Sequence, residues 1–184
     1  MIRPLFENMT IVILRIGHRP ERDQRVTTHV GLTSRALGAD GMLLASDDKG
    51  VINSLEEVTQ RWGGDFFARS VDSWKQEINN WQSGGGKVVH LTMYGQNLPD
   101  VIDEISLEES IMVVVGAEKV PPDVYHKADW NVAIGSQPHS EIAGLAVFLD
   151  RLHATRGLDP LKKEMPGGYL KITPSERGKI VTEV

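Results

Sequence analysis

Ser110-Ile111-Met112-Val113-Val114-Val115-Gly116 decides the fold. Its five apolar residues, Ile111 to Val115, are far fewer than the roughly 20 that a membrane span requires, yet they leave no polar face for water. A short β-branched run of this kind reads as a strand buried on both faces, as in a parallel sheet covered by helices. Lys87 to Met93 reads the same way. Further strands are expected over Thr10 to Leu14, Gly41 to Leu44, Phe66 to Arg69 and Asn131 to Ile134. The fold class is therefore α/β, a parallel sheet flanked by helices.

Helical patterns fill the gaps. Ser54 with Glu57 three residues on is a capping box, and the helix it opens stops at Gly63-Gly64. Asp72 or Ser73 opens another that ends before Gly84-Gly85-Gly86, and Pro99 suits the first turn of a helix running to Ile105. Pro138 precedes a strong helix from Ser140 to Leu152, whose apolar Ile142, Leu145, Leu149 and Leu152 repeat every three or four positions. The first helix ends at Gly38 and opens at Pro20 or at Thr27-Thr28. The later start is preferred, which leaves Gly17 to Arg25 as an exposed basic loop. Beyond Leu152 the pattern weakens, and Gly167-Gly168 between extended segments suggests that about 153–184 forms a C-terminal arm or hairpin. Residues 1–184 read as a single domain.

Composition excludes several chemistries. With 40% hydrophobic and 24% charged residues, the 184-residue chain is globular. It has no cysteine, which rules out disulfides, thiolate nucleophiles and thiolate-held metals. Its six histidines are scattered, so no metal site is expected. Phosphate-binding, dinucleotide-binding, nucleophile-elbow and zinc-protease motifs are missing from the sequence. Met1-Ile2-Arg3-Pro4 leads into an apolar strand rather than a secretory signal, and a cytoplasmic protein with no membrane association is expected. The net charge is −5, but Arg15 to Arg35 holds five arginines and two histidines against Glu21 and Asp23. That local +3 leaves −8 for the rest, the footprint of a phosphate-contacting patch on an acidic protein or of a salt-bridged surface segment.

Three segments place glycines and polar groups just after expected strands, where open α/β sheets bind ligands. They are Leu91-Thr92-Met93-Tyr94-Gly95, Gly116-Ala117-Glu118-Lys119-Val120 and Ile134-Gly135-Ser136-Gln137-Pro138-His139-Ser140-Glu141. Glycines there either turn the chain or let the backbone approach a ligand closely, and three such loops in series suit an adenine and a ribose.

These residues carry a family resemblance. His29-Val30-Gly31-Leu32-Thr33-Ser34-Arg35, followed by Leu37-Gly38-Ala39, resembles the first motif of the SPOUT RNA methyltransferases, with His29 in place of the usual asparagine. Val115-Gly116-Ala117-Glu118 resembles the second motif, and Asn131 to Leu149 the third, with His139-Ser140-Glu141 departing from the usual Ser-Leu-Asn. Within that superfamily, Gly17-His18-Arg19-Pro20-Glu21-Arg22-Asp23, His90 to Gly95 and Gly116 to Pro121 resemble the archaeal tRNA ribose 2′-O-methyltransferases that act on cytidine 56 in the T-loop. The likeness covers about residues 10 to 180.

The resemblance implies a C-terminal trefoil knot and S-adenosyl-L-methionine as cofactor, held by Leu91, by Gly116, Ala117, Glu118, Lys119 and Val120, and by Ile134, Gly135, Ser136, Gln137, Pro138, His139, Ser140 and Glu141. Glu118 is either a cofactor contact or an anchor for its loop. The catalytic arginine of the superfamily falls on Arg35, which would act as base or as electrostatic stabiliser of an alkoxide. Arg15, His18, Arg19, Arg22 and Arg25 would contact tRNA phosphates, with His29 either beside them or a satisfied helix histidine. The resemblance also implies a homodimer acting on tRNA rather than DNA. Competing readings are a base methyltransferase of the same fold, a silent RNA-binding module, and an acidic small-molecule-binding protein.

Overall fold

The computed structural model describes residues 9–184, so Met1 to Pro4 lies outside the described residues. Strands β1 (Thr10–Ile16), β2 (Gly41–Leu44), β3 (Phe67–Ser70), β4 (Lys87–Asn97), β5 (Ser110–Gly116) and β6 (Trp130–Ala133) form one sheet in the order β3-β2-β1-β5-β4-β6. Every neighbouring pair is parallel. All six apolar runs are strands, and β4 continues past Met93 to Asn97.

Alternation along the strands sorts the core into two layers. Ile11, Ile13, Val89, Val113 and Val115 pack with Val30 of α1 (Pro20–Ala36), Leu55 of α2 (Lys49–Trp62), Ile105 of α4 (Leu98–Ser106) and Leu149 of α6 (Glu141–Thr155). Val12, Leu14, Val88, Met112 and Val114 pack with Ile78 of α3 (Trp74–Ser83) and Val124 of α5 (Pro122–Lys127). Both faces are therefore covered, which is why the strands carry no polar face. Truncating a fully buried side chain such as Leu149 to alanine costs about 2–5 kcal/mol.

Two helix starts differ from expectation. α1 opens at Pro20, so Gly17 to Arg25 is not a basic loop. Proline presets the first helical φ, Glu21 and Asp23 sit at the positive end of the helix dipole, and the Asp23 carboxylate accepts the Arg19 backbone N–H at 2.9 Å. α2 opens at Lys49 rather than at Ser54, because the Asp48 carboxylate accepts the Val51 N–H. Ser54 lies inside the helix and gives its hydroxyl to the Gly50 carbonyl. By contrast Ser73 and Ser140 cap α3 and α6. After α6 the chain makes a short 3₁₀ turn at Pro160–Lys162 and ends in an antiparallel hairpin, β7 (Leu170–Thr173) with β8 (Ile180–Glu183). Gly167-Gly168 precedes β7 instead of forming the hairpin turn. It meets the end of α2, where a Cβ on Gly168 would come within 2.4 Å of the Gly63 nitrogen. No described helix is long and apolar enough to cross a membrane.

Candidate active site

The strand order β5-β4-β6 brings the C-terminal ends of these three strands side by side, and a cleft of about 790 Å³ opens over them. That is the size range of small-molecule sites. Leu91 and Gln96 both pair with Val132, so Thr92 to Gly95 bulges out of β4. The bulge packs tightly: a Cβ on Gly95 would come within 2.3 Å of the Asn131 carbonyl oxygen. After β5, Gly116 to Val120 all line the cleft, and the turn closes so sharply that a Cβ on Gly116 would meet Val120 at 2.4 Å. After β6, Ile134, Pro138, His139 and Glu141 line it. Gly135, Ser136 and Gln137 are exposed in the same loop without lining the cleft, and Ser140 spends its hydroxyl on the Ile142 N–H.

His90 and Tyr125 also line the cleft and were missed in the sequence. α5, which carries Tyr125, is only six residues long and gives no readable periodicity. His90 is fully buried on β4 and meets Tyr125 edge-on at 4.8 Å. Asn131 gives its amide N–H to the Tyr125 carbonyl, so its oxygen faces His90 Nδ1 at 2.9 Å. Nδ1 therefore carries the proton. Nε2 is left buried with no partner among the described residues, and burial holds the imidazole below its ordinary pKa, hence neutral. Its Nε2 is an acceptor waiting for a donor.

The basic segment is arranged differently from expectation. Arg15 has no exposed surface and makes no phosphate-accessible patch. Its Nε donates to Thr27 Oγ1, Nη1 to the Gly116 carbonyl at 3.0 Å, and Nη2 to Glu141 Oε1 at 2.9 Å. One guanidinium thus fastens α1, the β5 loop and the first turn of α6 together. His18 is likewise buried, its Nε2 against Asp48 and its Nδ1 against Thr27. Burial would raise the Asp48 carboxyl, but hydrogen bonds from His18, Val51 N–H and Gln24 outweigh it and hold it low. Arg15 and His18, expected at the surface as phosphate contacts, are buried and engaged within the chain. Their burial is explained by α1, which starts early enough to cover them.

Arg19, half-buried, is paired both with Asp23 and with Glu118 at the cleft mouth. The Arg19 hydrogen bond pulls the Asp23 carboxyl down to about 2. Arg22, Arg25 and His29 are exposed along α1. Arg35 stands at the other end of that helix, about 24 Å from Arg19 at a rise of about 1.5 Å per residue. It lines a separate small cavity with Asp40, Asp65 and Lys163, gives Nη2 to the Gly63 carbonyl at the end of α2, and is held below its ordinary pKa by burial. Within one chain Arg35 and the cleft are not brought together. No cluster of three metal-ligating side chains occurs among the described residues.

The parallel six-stranded sheet flanked by helices is shared with solved SpoU/TrmH-type methyltransferases. A crystal structure of an RNA 2′-O ribose methyltransferase superposes with a TM-score of 0.61 at 18% identity, covering 86% of this chain and 60% of that one. The SpoU methyltransferase AviRb from Streptomyces viridochromogenes, in complex with the cofactor AdoMet, superposes at 0.56 with 16% identity, covering 86% and 61%. Residues 62–182 match the family described as tRNA ribose 2′-O-methyltransferase, aTrm56. The tRNA (cytidine(56)-2′-O)-methyltransferase of Methanosarcina mazei is 62% identical over 173 residues, 94% of this chain and 96% of the relative. That of Methanococcoides burtonii is 60% identical over 171 residues, 93% and 94%. The chain belongs to the tRNA ribose 2′-O-methyltransferase family.

Proposed function

We propose that this chain transfers a methyl group from S-adenosylmethionine to the 2′-hydroxyl of cytidine 56 in the T-loop of tRNA, in the cytoplasm and as a homodimer of one SPOUT-like domain per subunit. The cleft over β4, β5 and β6 carries the reading. It is the right size for a nucleoside cofactor, three close-packed loops form its walls, and His90, whose buried Nε2 has no partner among the described residues, belongs to its lining. The lining residues Leu91, Gly116 to Val120, Ile134, Pro138, His139 and Glu141 would hold the cofactor, with Gly135 to Gln137 and Ser140 shaping the outer loop. The C-terminal trefoil knot is part of the same proposal.

When bound, the cofactor supplies an activated sulfonium methyl. The protein has to align the ribose hydroxyl, exclude water and manage one proton. The Arg15 clamp holds the β5 loop and Glu141 in register, so the cleft is preformed. Arg19, at the mouth beside Glu118, is the arginine near enough within one chain to meet the charge developing on the alkoxide or on its phosphate. Arg35 does not reach the cleft of its own chain. Arg22, Arg25 and His29 remain free on α1 to meet the RNA backbone. Exposed apolar side chains on α6 and the hairpin, among them Val147, Tyr169, Ile172 and Val181, support a second subunit.

Transfer of labelled methyl to an unmodified tRNA transcript, followed by nucleoside mapping, tests the reading. A 2′-O-methylcytidine at position 56 is the expected product. Label on a base, or cofactor binding without transfer, overturns it, and a monomer by light scattering removes the dimer.

A further inference from the structure

The bulge in β4 does more than close one wall of the cleft. Bulges beside functional sites re-aim side chains, and this one turns Tyr94 outward, with 79% of its surface exposed, at the rim of the cleft. The mounting is rigid. Both flanking residues pair with Val132, Gly95 lies against the Asn131 and Val132 backbone with no room for a Cβ, and Thr92 Oγ1 meets the Tyr125 hydroxyl at 3.1 Å. An exposed aromatic ring on a braced loop is ordered before any ligand arrives, so little conformational freedom is lost on contact.

The reaction proposed for this cleft acts on a ribose inside a polynucleotide. A ribose hydroxyl reaches an enclosed methyl donor only when its nucleotide is drawn out of the RNA stack, and the displaced base then needs a surface to replace its neighbours. Two other rings at the cleft are already engaged. Tyr125 is tied to Thr92, and His139 turns Nδ1 back onto the Ser140 carbonyl.

The geometry points to Tyr94 as the platform on which the base of the target nucleotide stacks while its ribose enters the cleft. This rests on the function proposed above. Stacking on an aromatic face contributes about 1–3 kcal/mol per base and tolerates any base, so Tyr94 fixes the position of the nucleotide rather than its identity. The phenol hydroxyl has no part in it.

The test compares Tyr94→Ala and Tyr94→Phe with the native protein. Stacking predicts that Tyr94→Ala raises the KM for tRNA about 5- to 150-fold, the range of that energy, with S-adenosylhomocysteine affinity unchanged within about twofold. Tyr94→Phe stays near native. A tRNA carrying pyrrolocytidine at position 56 gives a direct readout: fluorescence stays quenched on the native protein loaded with S-adenosylhomocysteine and brightens on Tyr94→Ala. Unchanged KM and unchanged fluorescence in Tyr94→Ala overturn the assignment. So does a change in oligomer mass by light scattering, which would make Tyr94 a subunit contact. Failure of the native protein to methylate tRNA is a different result, and it removes the function proposed above together with this role.

Discussion

Arg15 Nη2 and Glu141 Oε1 meet at 2.9 Å although 126 positions separate them in the chain. The guanidinium is fully buried while the carboxylate keeps a third of its side chain exposed, so the arginine depends on the pair more than the glutamate does. Arg15→Met removes the buried charge itself and leaves Glu141 with access to water, so its cost is that of the Gly116 carbonyl and the Thr27 hydroxyl losing their donor, about 1–3 kcal/mol. For a domain of this size that is about 5 °C in Tm. The substitution should also weaken S-adenosylhomocysteine binding, because the Gly116 carbonyl and Glu141 lose their common tether. Urea denaturation with calorimetric titration checks both, and an unchanged midpoint would show that the clamp carries no stability.

Arg19 and Arg35 separate two mechanisms. With Arg19 at the cleft mouth, Arg19→Ala is expected to lower kcat/KM for tRNA at least about 100-fold, the scale of losing one transition-state charge contact. Arg35→Ala is expected to lose about 1–3 kcal/mol of stability through the freed Gly63 carbonyl, with turnover per folded protein retained. Abolished turnover in a stably folded Arg35→Ala protein would place Arg35 at a neighbouring subunit's cleft instead.

His90 offers an acceptor with no donor in the free protein. The bound cofactor is expected to supply one, so His90→Phe should weaken S-adenosylhomocysteine binding about 5- to 10-fold, the worth of one hydrogen bond. The same change takes the Nδ1–H donor away from Asn131 Oδ1, so the unliganded protein should lose about 1 kcal/mol of stability. Equal affinity in the two proteins would show that Nε2 stays unused.

Acid should destabilise the fold in two stages. Burial holds both His90 and His153 below their ordinary 6.5, so the unfolded chain takes up protons there that the folded chain does not. Stability should therefore rise with pH up to about 6.5 and fall as pH drops below it. Asp23, lowered from 3.8 to about 2 chiefly by the Arg19 hydrogen bond, contributes stability above 3.8 that disappears as pH falls toward 2. A Tm profile that is flat from pH 7 to 5 would contradict the histidine stage.

β1, β2 and β5 were legible because each is a dense apolar run buried on both faces, and the spacing of Ile142, Leu145, Leu149 and Leu152 announced α6. The α1 start gives little apolar rhythm, because five charged or polar residues, Glu21 to Arg25, follow Pro20 directly. Its buried face is made instead of Asp23, Thr27 and Gly31, which look like surface residues. Placing that start too late carried over to the site. A basic loop over Gly17 to Arg25 would have exposed His18, whereas His18 is buried against Thr27 of the helix, and Arg15 on β1 is tied to the same Thr27. The cleft loops were readable from glycines after strands. His90 was not, since its meaning depends on Asn131 and Tyr125, about 40 positions away in the chain.

β1 lies between β2 and β5 in the sheet, and β5 is made about 100 residues after it. During synthesis the edge of β1 that receives β5 has no partner until most of the chain has emerged, so the nascent protein carries an open, apolar strand edge of the kind that invites wrong pairing. The cleft depends on the same late closure, because Gly116 and Glu141 reach Arg15 only then. Slow, late-forming contacts of this span favour slow folding. A nascent chain cut short before α6 would hold its first strand without the residues that make it useful, and cellular quality control would meet it as an unfinished sheet.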